Sequence, residues 1–235
     1  MLRTAYSQIL NASRDFAIGM FDGAGRLISQ AEHIPLHVGG LPFAMKSVMD
    51  YFDGRVHPGD VILLNDPYHG GNHLPDLTAF VPVFVEGQDK PVFWTLNRAH
   101  QSDIGGSAPG SYNPAATEIW QEGIRITPLK LYDRGVLRDD LLNMIATNVR
   151  HKSDFIGDLN AMIGSARVGA RRMEELVAEY GFDTTMAAID HILDSSEAQC
   201  RARIGDWADG EYAGEAFMDD DGHGIENIGV RAKVK

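Results

Sequence analysis

Apolar residues are spaced differently in the two halves of the chain: short β-type runs punctuated by turn residues fill the first half, and three- and four-residue spacing fills the second. Residues 2–12 suit a short helix. Residues 15–22, a Gly-Ala-Gly turn and residues 26–30 read as a β-hairpin whose first strand is opened by Asp15. From Gly39 to Phe52, apolar Leu41, Ala44, Met45, Val48 and Phe52 fall at helical spacing, and Asp53-Gly54 closes the helix. Strands are predicted at 60–66, 77–85, 91–97 and 124–131, the last followed by a turn at Asp133-Arg134-Gly135. Residues 104–121, rich in Gly, Ser, Pro and Asn, read as an ordered surface loop between strands. Helices are expected over 137–149, 154–180 and 184–207, with Gly181 ending the second. Residues 211–222 and the closing run Ile228 to Lys235 form a hairpin whose last strand reaches the final residue, implying a missing pairing partner or a truncated chain. The fold class expected is a mixed α+β arrangement, with a β-rich N-terminal half, a helical C-terminal half and an incomplete final hairpin. Its expected divisions are 1–135, 136–208 and 209–235, or one continuous domain.

Composition narrows the function. With 235 residues and 44% hydrophobic content the chain can bury a sizeable core. Its formal charge of −12, from 21 basic and 33 acidic residues, argues against nucleic acid, whose phosphates need clustered Lys and Arg. Small molecules or other proteins are the expected partners. No apolar stretch approaches the about 20 residues that span a bilayer, and Met1 to Gln8 lack the apolar core of a secretory signal, so the expected location is the cytoplasm. The single cysteine, Cys200, cannot form an internal disulfide and reads as a packed or surface thiol.

The chemistry gathers between Asn65 and Gly106. Two H-x-x-D units, His73-Leu74-Pro75-Asp76 and His100-Gln101-Ser102-Asp103, sit at predicted strand ends, and the first closes the run N-D-P-Y-H-G-G-N-H-L-P-D at 65–76. Imidazole nitrogen combined with carboxylate oxygen suits Zn²⁺, Mn²⁺ or Fe²⁺, whereas Mg²⁺ and Ca²⁺ usually take oxygen alone. Asp15 is a further oxygen donor at a strand start. A metal held with an open position acidifies bound water or polarises a carbonyl. Spacing alone leaves a role without metal equally open. Within the same region His69 has a substrate or metal role or a loop hydrogen bond, and Asp66 before Pro67 sets a turn. His33 and His37 flank Pro35 within reach of the site, with a structural role favoured. Arg98, after Asn97, has a guanidinium fork suited to phosphate or carbonyl oxygens, and Glu122, with Glu118, is a carboxylate suited to proton transfer. Glycine pairs at 39, 70 and 105 have neither P-loop spacing nor the G-x-G-x-x-G form, which places ATP elsewhere.

These residues carry a resemblance. The run at 65–76, N-R-A-H-Q-S-D-I-G-G at 97–106, T-E-I-W-Q-E-G-I-R-I-T-P-L-K-L at 117–131, N-V-R at 148–150 and G-D-L at 157–159 occur in order. Together with the stretch from Arg14 to Gly40, they are similar to the hydantoinase B/oxoprolinase family over nearly the whole chain. The resemblance implies a B-type subunit of an ATP-dependent cyclic amide hydrolase that works with an A-type subunit. That partner binds ATP and phosphorylates the substrate carbonyl, and the B-type subunit opens a lactam or imide at a divalent transition metal. It further implies Asp15, His73, Asp76 and His100 as metal ligands and Asp103 as an orienting group or alternative ligand, with His69, Arg98 and Glu122 the remaining expected site residues. Ketone carboxylases of the acetone and acetophenone type are the alternative branch, and a non-catalytic assembly subunit is the alternative class. Family members are usually longer and begin with a further helical segment, so the resemblance also implies a fragment, a split gene product or a shortened homologue.

Overall fold

The computed structural model describes residues 1–31 and 33–235. They form two compact units, Met1–Met186 and Ala187–Lys235. In the first, α1 (Gln8–Asn11) precedes β1 (Phe16–Asp22), β2 (Leu27–Ala31) and α2 (Pro35–Phe52). Then come β3 (Val61–Leu64), β4 (Asp76–Val83), β5 (Phe93–His100), β6 (Leu129–Asp133), β7 (Val136–Leu137), α3 (Asp139–Thr147) and α4 (Lys152–Tyr180). The strands make one seven-stranded sheet in the order β2-β1-β5-β4-β3-β6-β7, with antiparallel neighbours.

Both faces of the sheet are covered, which explains why β4 is buried along its whole length. On one face, α2 lays Leu41, Ala44, Met45, Val48 and Phe52 onto Phe21, Ile62, Leu64, Phe80, Trp94 and Leu96. Each fully buried Leu, Ile, Val, Met or Phe among them contributes about 1.5–3 kcal/mol relative to exposure. On the other face lies α4, whose Ala166 carbonyl accepts a 2.7 Å hydrogen bond from Thr95 Oγ1 and whose Met162 carbonyl accepts one of 2.6 Å from Asn97 Nδ2. Gly169 of α4 passes so close to Thr95 and Met20 that a β-carbon there would already be in tight contact.

The mixed α+β class expected from the apolar pattern is the class observed, with helices concentrated in the C-terminal half. Several element bounds differ. The helix expected from Gly39 starts at Pro35, because proline at the first helical position sacrifices no hydrogen bond; Pro42 lies inside that helix. The strand expected over 124–131 is β6, starting at Leu129. Residues 124 and 126 hydrogen-bond instead to the Asn65 side chain, which donates to the Ile124 carbonyl at 2.9 Å and accepts from Ile126 N–H at 2.6 Å. The early helix shrinks from 2–12 to Gln8–Asn11.

Helix α5 (Phe182–Gly205) begins in the first unit, and the second unit contains the rest of it with β8 (Tyr212–Asp220) and β9 (Glu226–Val234). These two strands pair antiparallel, as the terminal hairpin pattern anticipates. Among the described residues no helix is long and apolar enough to cross a membrane. Cys200 is an exposed free thiol.

Candidate metal centre

The register of two central strands makes the site. Asp76, first in β4, pairs directly with His100, last in β5, so both side chains lie on the α2 face of the sheet, where Thr78 pairs with Arg98 and Phe80 with Leu96. His73 is brought over this pair by a tight turn, in which Asp76 N–H donates to the His73 carbonyl at 2.9 Å. Asp15 precedes β1 and its carbonyl accepts from His100 N–H at 3.0 Å, which fixes its backbone beside the same strand end.

The four side chains converge. Asp76 Oδ1 lies 3.2 Å from His100 Nδ1 and 3.6 Å from His73 Nδ1, and Asp15 Oδ2 lies 3.9 Å from His100 Nδ1. The His73 and His100 rings meet edge to face at 5.0 Å. Asp76 is almost completely buried whereas the His73 side chain is 50% exposed, so the group has a dry floor and an open side. Burial pushes the Asp76 carboxyl up, but hydrogen bonds from His100 and His37 and the charges of His37 and His73 outweigh it and hold it well below the ordinary carboxylate range. It is ionised at neutral pH.

A metal fits this donor set. His73, Asp76 and His100 offer two imidazole nitrogens and a carboxylate oxygen within 4.8 Å of one another. That combination suits Zn²⁺, Mn²⁺ or Fe²⁺. A second group of similar spacing, His57, Asp60 and Asp133, is different: Lys130 Nζ sits 2.7 Å from Asp60 Oδ2, so an ammonium already supplies the positive charge there.

The loop before β4 is built to support the centre. Asp66 caps the short 3₁₀ turn Pro67–His69 by accepting from Tyr68 N–H at 3.0 Å, binds His69 Nδ1 at 2.7 Å and pairs with Arg125 Nε at 2.9 Å. Burial raises the Asp66 carboxyl and those partners overcome it, leaving a net lowering. Arg125 also stacks over the Tyr68 ring, 5.1 Å from its centroid. Gly70 has φ +84 and presses on the α2 backbone at Phe43 and Ala44, and Gly71 presses on the Asn65 carbonyl. Neither position has room for a side chain.

Arg98 is fully buried beneath this loop. Its guanidinium donates to Thr78 Oγ1 at 2.9 Å, to Asn72 Oδ1 at 2.9 Å and to the Gly70 carbonyl at 2.8 Å. Burial lowers it to about 10 despite the opposing charge of Asp76, so it remains protonated at neutral pH. It braces the loop and lies beneath the surface a phosphate or carbonyl group would reach. Asp103 is likewise engaged away from the imidazoles. Its carboxylate accepts from Arg150 Nη1 at 2.9 Å and from the backbone N–H groups of Gly105, Gly110 and Arg150. These bonds overcome the upward push of burial and lower its pKa. They tie the 105–111 loop to the segment before α4.

Two open clefts adjoin at Pro67, Tyr68 and Asn72. One, about 500 Å³, is lined by Phe43, Lys46 and His69, and the other, about 300 Å³, by His73, Thr117, Glu118, Ile119 and Glu122. His69 and Glu122 therefore face neighbouring clefts, with His73 on the Glu122 side. Glu118 is the cap residue of the 3₁₀ turn Ile119–Gln121, its N–H donating to Gln121 Oε1 at 3.3 Å. His33 packs its ring on Phe16 at 4.5 Å.

Asn72 joins the site without having been singled out, and His37, expected within reach with a structural role favoured, joins it as well. His37 Nε2 is 3.2 Å from Asp76 Oδ2 and 3.5 Å from Asp15 Oδ1, and Asn72 Nδ2 donates to Asp76 Oδ2 at 3.2 Å. The signal for His37 was Pro35: read as a helix start, it places His37 in the first turn of α2, over the sheet.

A chain with this antiparallel sheet and an Asp-His-Asp-His cluster at the ends of its central strands matches the hydantoinase B/oxoprolinase family over residues 1–235 and belongs to it. It is 40% identical over 233 residues to caprolactamase subunit beta from Pseudomonas jessenii, covering 99% of this chain and 40% of that protein. The crystal structure of ATP-dependent caprolactamase from the same organism superposes with a TM-score of 0.92 at 39% identity, over 99% of this chain and 40% of the other. A nucleotide-free acetone carboxylase shares the fold, with a TM-score of 0.84 at 22% identity, over 99% of this chain and 32% of the other. The chain thus spans about two fifths of the relative it matches, 40% of caprolactamase subunit beta.

Proposed function

We propose that the chain supplies the metal-binding part of a B-type subunit that hydrolyses the C–N bond of a lactam or imide, after an A-type partner has used ATP to phosphorylate the substrate carbonyl. The observation that carries the reading is the Asp76–His100 strand pair with His73 above it, a compact nitrogen and oxygen donor set open on one side. Asp15, His73, Asp76 and His100 would hold a Zn²⁺, Mn²⁺ or Fe²⁺ ion. When bound, the ion supplies Lewis acidity and lowers the pKa of water.

The remaining roles follow from the side chains. Ionised Asp66 keeps the proton of His69 on Nδ1, so Nε2 carries the lone pair and can accept a proton at the 500 Å³ cleft. Glu122, which lines the smaller cleft together with His73, would exchange a proton with the departing nitrogen. Arg98 and Asp103 act through structure, the first fixing Asn72 and Gly70 and the second fixing the 105–111 loop. On this reading residues 1–135 carry the chemistry, α4 backs the sheet that holds it, and the complex works in the cytoplasm, where ATP is available. The likeness to the amide-hydrolysing relative, at 40% identity, favours hydrolysis over the carboxylase branch, for which the fold alone speaks.

Elemental analysis and turnover of the chain reconstituted with an A-type subunit test this, using a panel of lactams, hydantoins, 5-oxoproline and ketones. His73→Ala should lose the metal and ATP-coupled ring opening together. Unchanged metal content in that variant would refute the donor set, and consumption of bicarbonate with a ketone would move the chain to the carboxylase branch.

A further inference from the structure

The two carboxylates of the centre are each divided between an inner and an outer partner. Asp76 turns Oδ1 towards His100 and His73 and Oδ2 towards His37, and Asp15 turns Oδ2 towards His100 and Oδ1 towards His37. One buried imidazole nitrogen, His37 Nε2, thus spans the outer oxygens of both acids, at 3.2 Å and 3.5 Å. Its other ring nitrogen, Nδ1, has no hydrogen-bond partner among the described residues. All the polar work of this side chain is done at Nε2, between the two acids.

We propose, on the reading of the metal centre above, that His37 is a positioning residue and not a ligand. It clamps Asp15 and Asp76 from α2 so that their inner oxygens face the two imidazoles. The physical case is geometric. A carboxylate rotating about its Cβ–Cγ bond can present either oxygen or both, and a donor on the outer oxygen removes that freedom before the ion arrives. Asp76 has a second outer donor, Asn72, whose amide is oriented because its oxygen is taken by Arg98. Asp15, one-third exposed and at the start of a strand, is tied to α2 by His37. His37 therefore links the donor that comes from β1 to the one that comes from β4.

Because Nδ1 is idle, an amide that donates from the Nε2 position should do the same work. Zn²⁺ binding is measured by competition with a chromophoric chelator for the wild-type chain and for His37→Ala, His37→Gln and His73→Ala. The zinc-loaded samples are then examined by X-ray absorption to count imidazole ligands. The wild type and His37→Gln should both show two imidazoles. His37→Ala should bind Zn²⁺ about 10–100-fold more weakly, and His37→Gln should recover most of that loss. Three imidazoles in the wild type, falling to two in His37→Gln, would make His37 a ligand and overturn the proposal. Wild-type affinity in a folded His37→Ala would also overturn it, as would a His37→Gln variant as weak as His37→Ala. If the wild type fails to bind Zn²⁺, or His73→Ala binds it as well as the wild type, the reading of the centre itself falls and this inference with it; loss in His73→Ala alone leaves that reading standing.

Discussion

Asp66 is the residue whose ionisation has the clearest consequence outside the candidate metal centre. Burial opposes its charge, and His69, Tyr68 N–H and Arg125 more than compensate, so its pKa in the folded chain is lower than the ordinary value of 3.8. A carboxyl depressed by folding stabilises the fold fully above its unfolded pKa, and that contribution disappears as pH falls through the folded value. Asp103, held by Arg150 and three backbone N–H groups, acts with the same sign. Asp66→Asn keeps a capping oxygen but loses the charge. Urea unfolding between about pH 5 and pH 2 should therefore show a shallower acid loss in the variant than in the wild type. Parallel curves would mean that Asp66 is not depressed. At this scale the sequence announced residue types but not exposure. The H-x-x-D spacing marked His73, Asp76 and His100 as possible donors with Asp15 as a further oxygen, and the family resemblance, not spacing, selected these four as the candidate ligands. Arg98 could not be recognised as a buried brace, because a guanidinium suited to a phosphate and one suited to Asn72, Thr78 and a carbonyl are the same group.

Among the elements, strand register and loop closure decide whether those donors meet. Side chains alternate across a strand, so a slip of one residue between β4 and β5 would send Asp76 and His100 to opposite faces. The apolar runs that revealed these strands also placed their ends within a few residues, which is why this part of the arrangement was legible. The α2 start and the 124–128 segment were not. Helical periodicity says where an apolar face begins, not where a proline begins the helix, and the segment's backbone pairs with an Asn side chain that no periodicity marks. Loop closure depends on Gly71, where a β-carbon would overlap the Asn65 carbonyl, itself fixed by the neighbouring bonds to Ile124 and Ile126. Gly71→Ala should cost about 1–3 kcal/mol, the range for overpacking a tight site. It should also weaken Zn²⁺ binding, since Asn72 and His73 follow directly. Denaturant titration and chelator competition read the two effects; wild-type values in both would show that the loop relaxes freely.

At the scale of the molecule, the proposed ligands and both clefts belong to the first unit, Met1–Met186, and the second unit has a different construction. In its hairpin, residues directly opposite share a face. Tyr212, Ala216 and Met218 thus lie with Val234, Val230 and Ile228 on an apolar side, and the Glu215–Arg231 pair marks the other. A two-stranded hairpin is only marginally stable by itself in water. The proposed donors and the strands and helix α2 that position them all lie in the first unit, so the proposed metal binding should draw on neither the hairpin's apolar face nor its ion pairs. Stopping the chain after Gly205, the last residue of α5, should therefore preserve Zn²⁺ affinity within about threefold, less than the loss expected on removing a supporting hydrogen bond. Circular dichroism establishes that the shortened chain is folded, and chelator competition measures its affinity. A folded protein that has lost its zinc would overturn this independence.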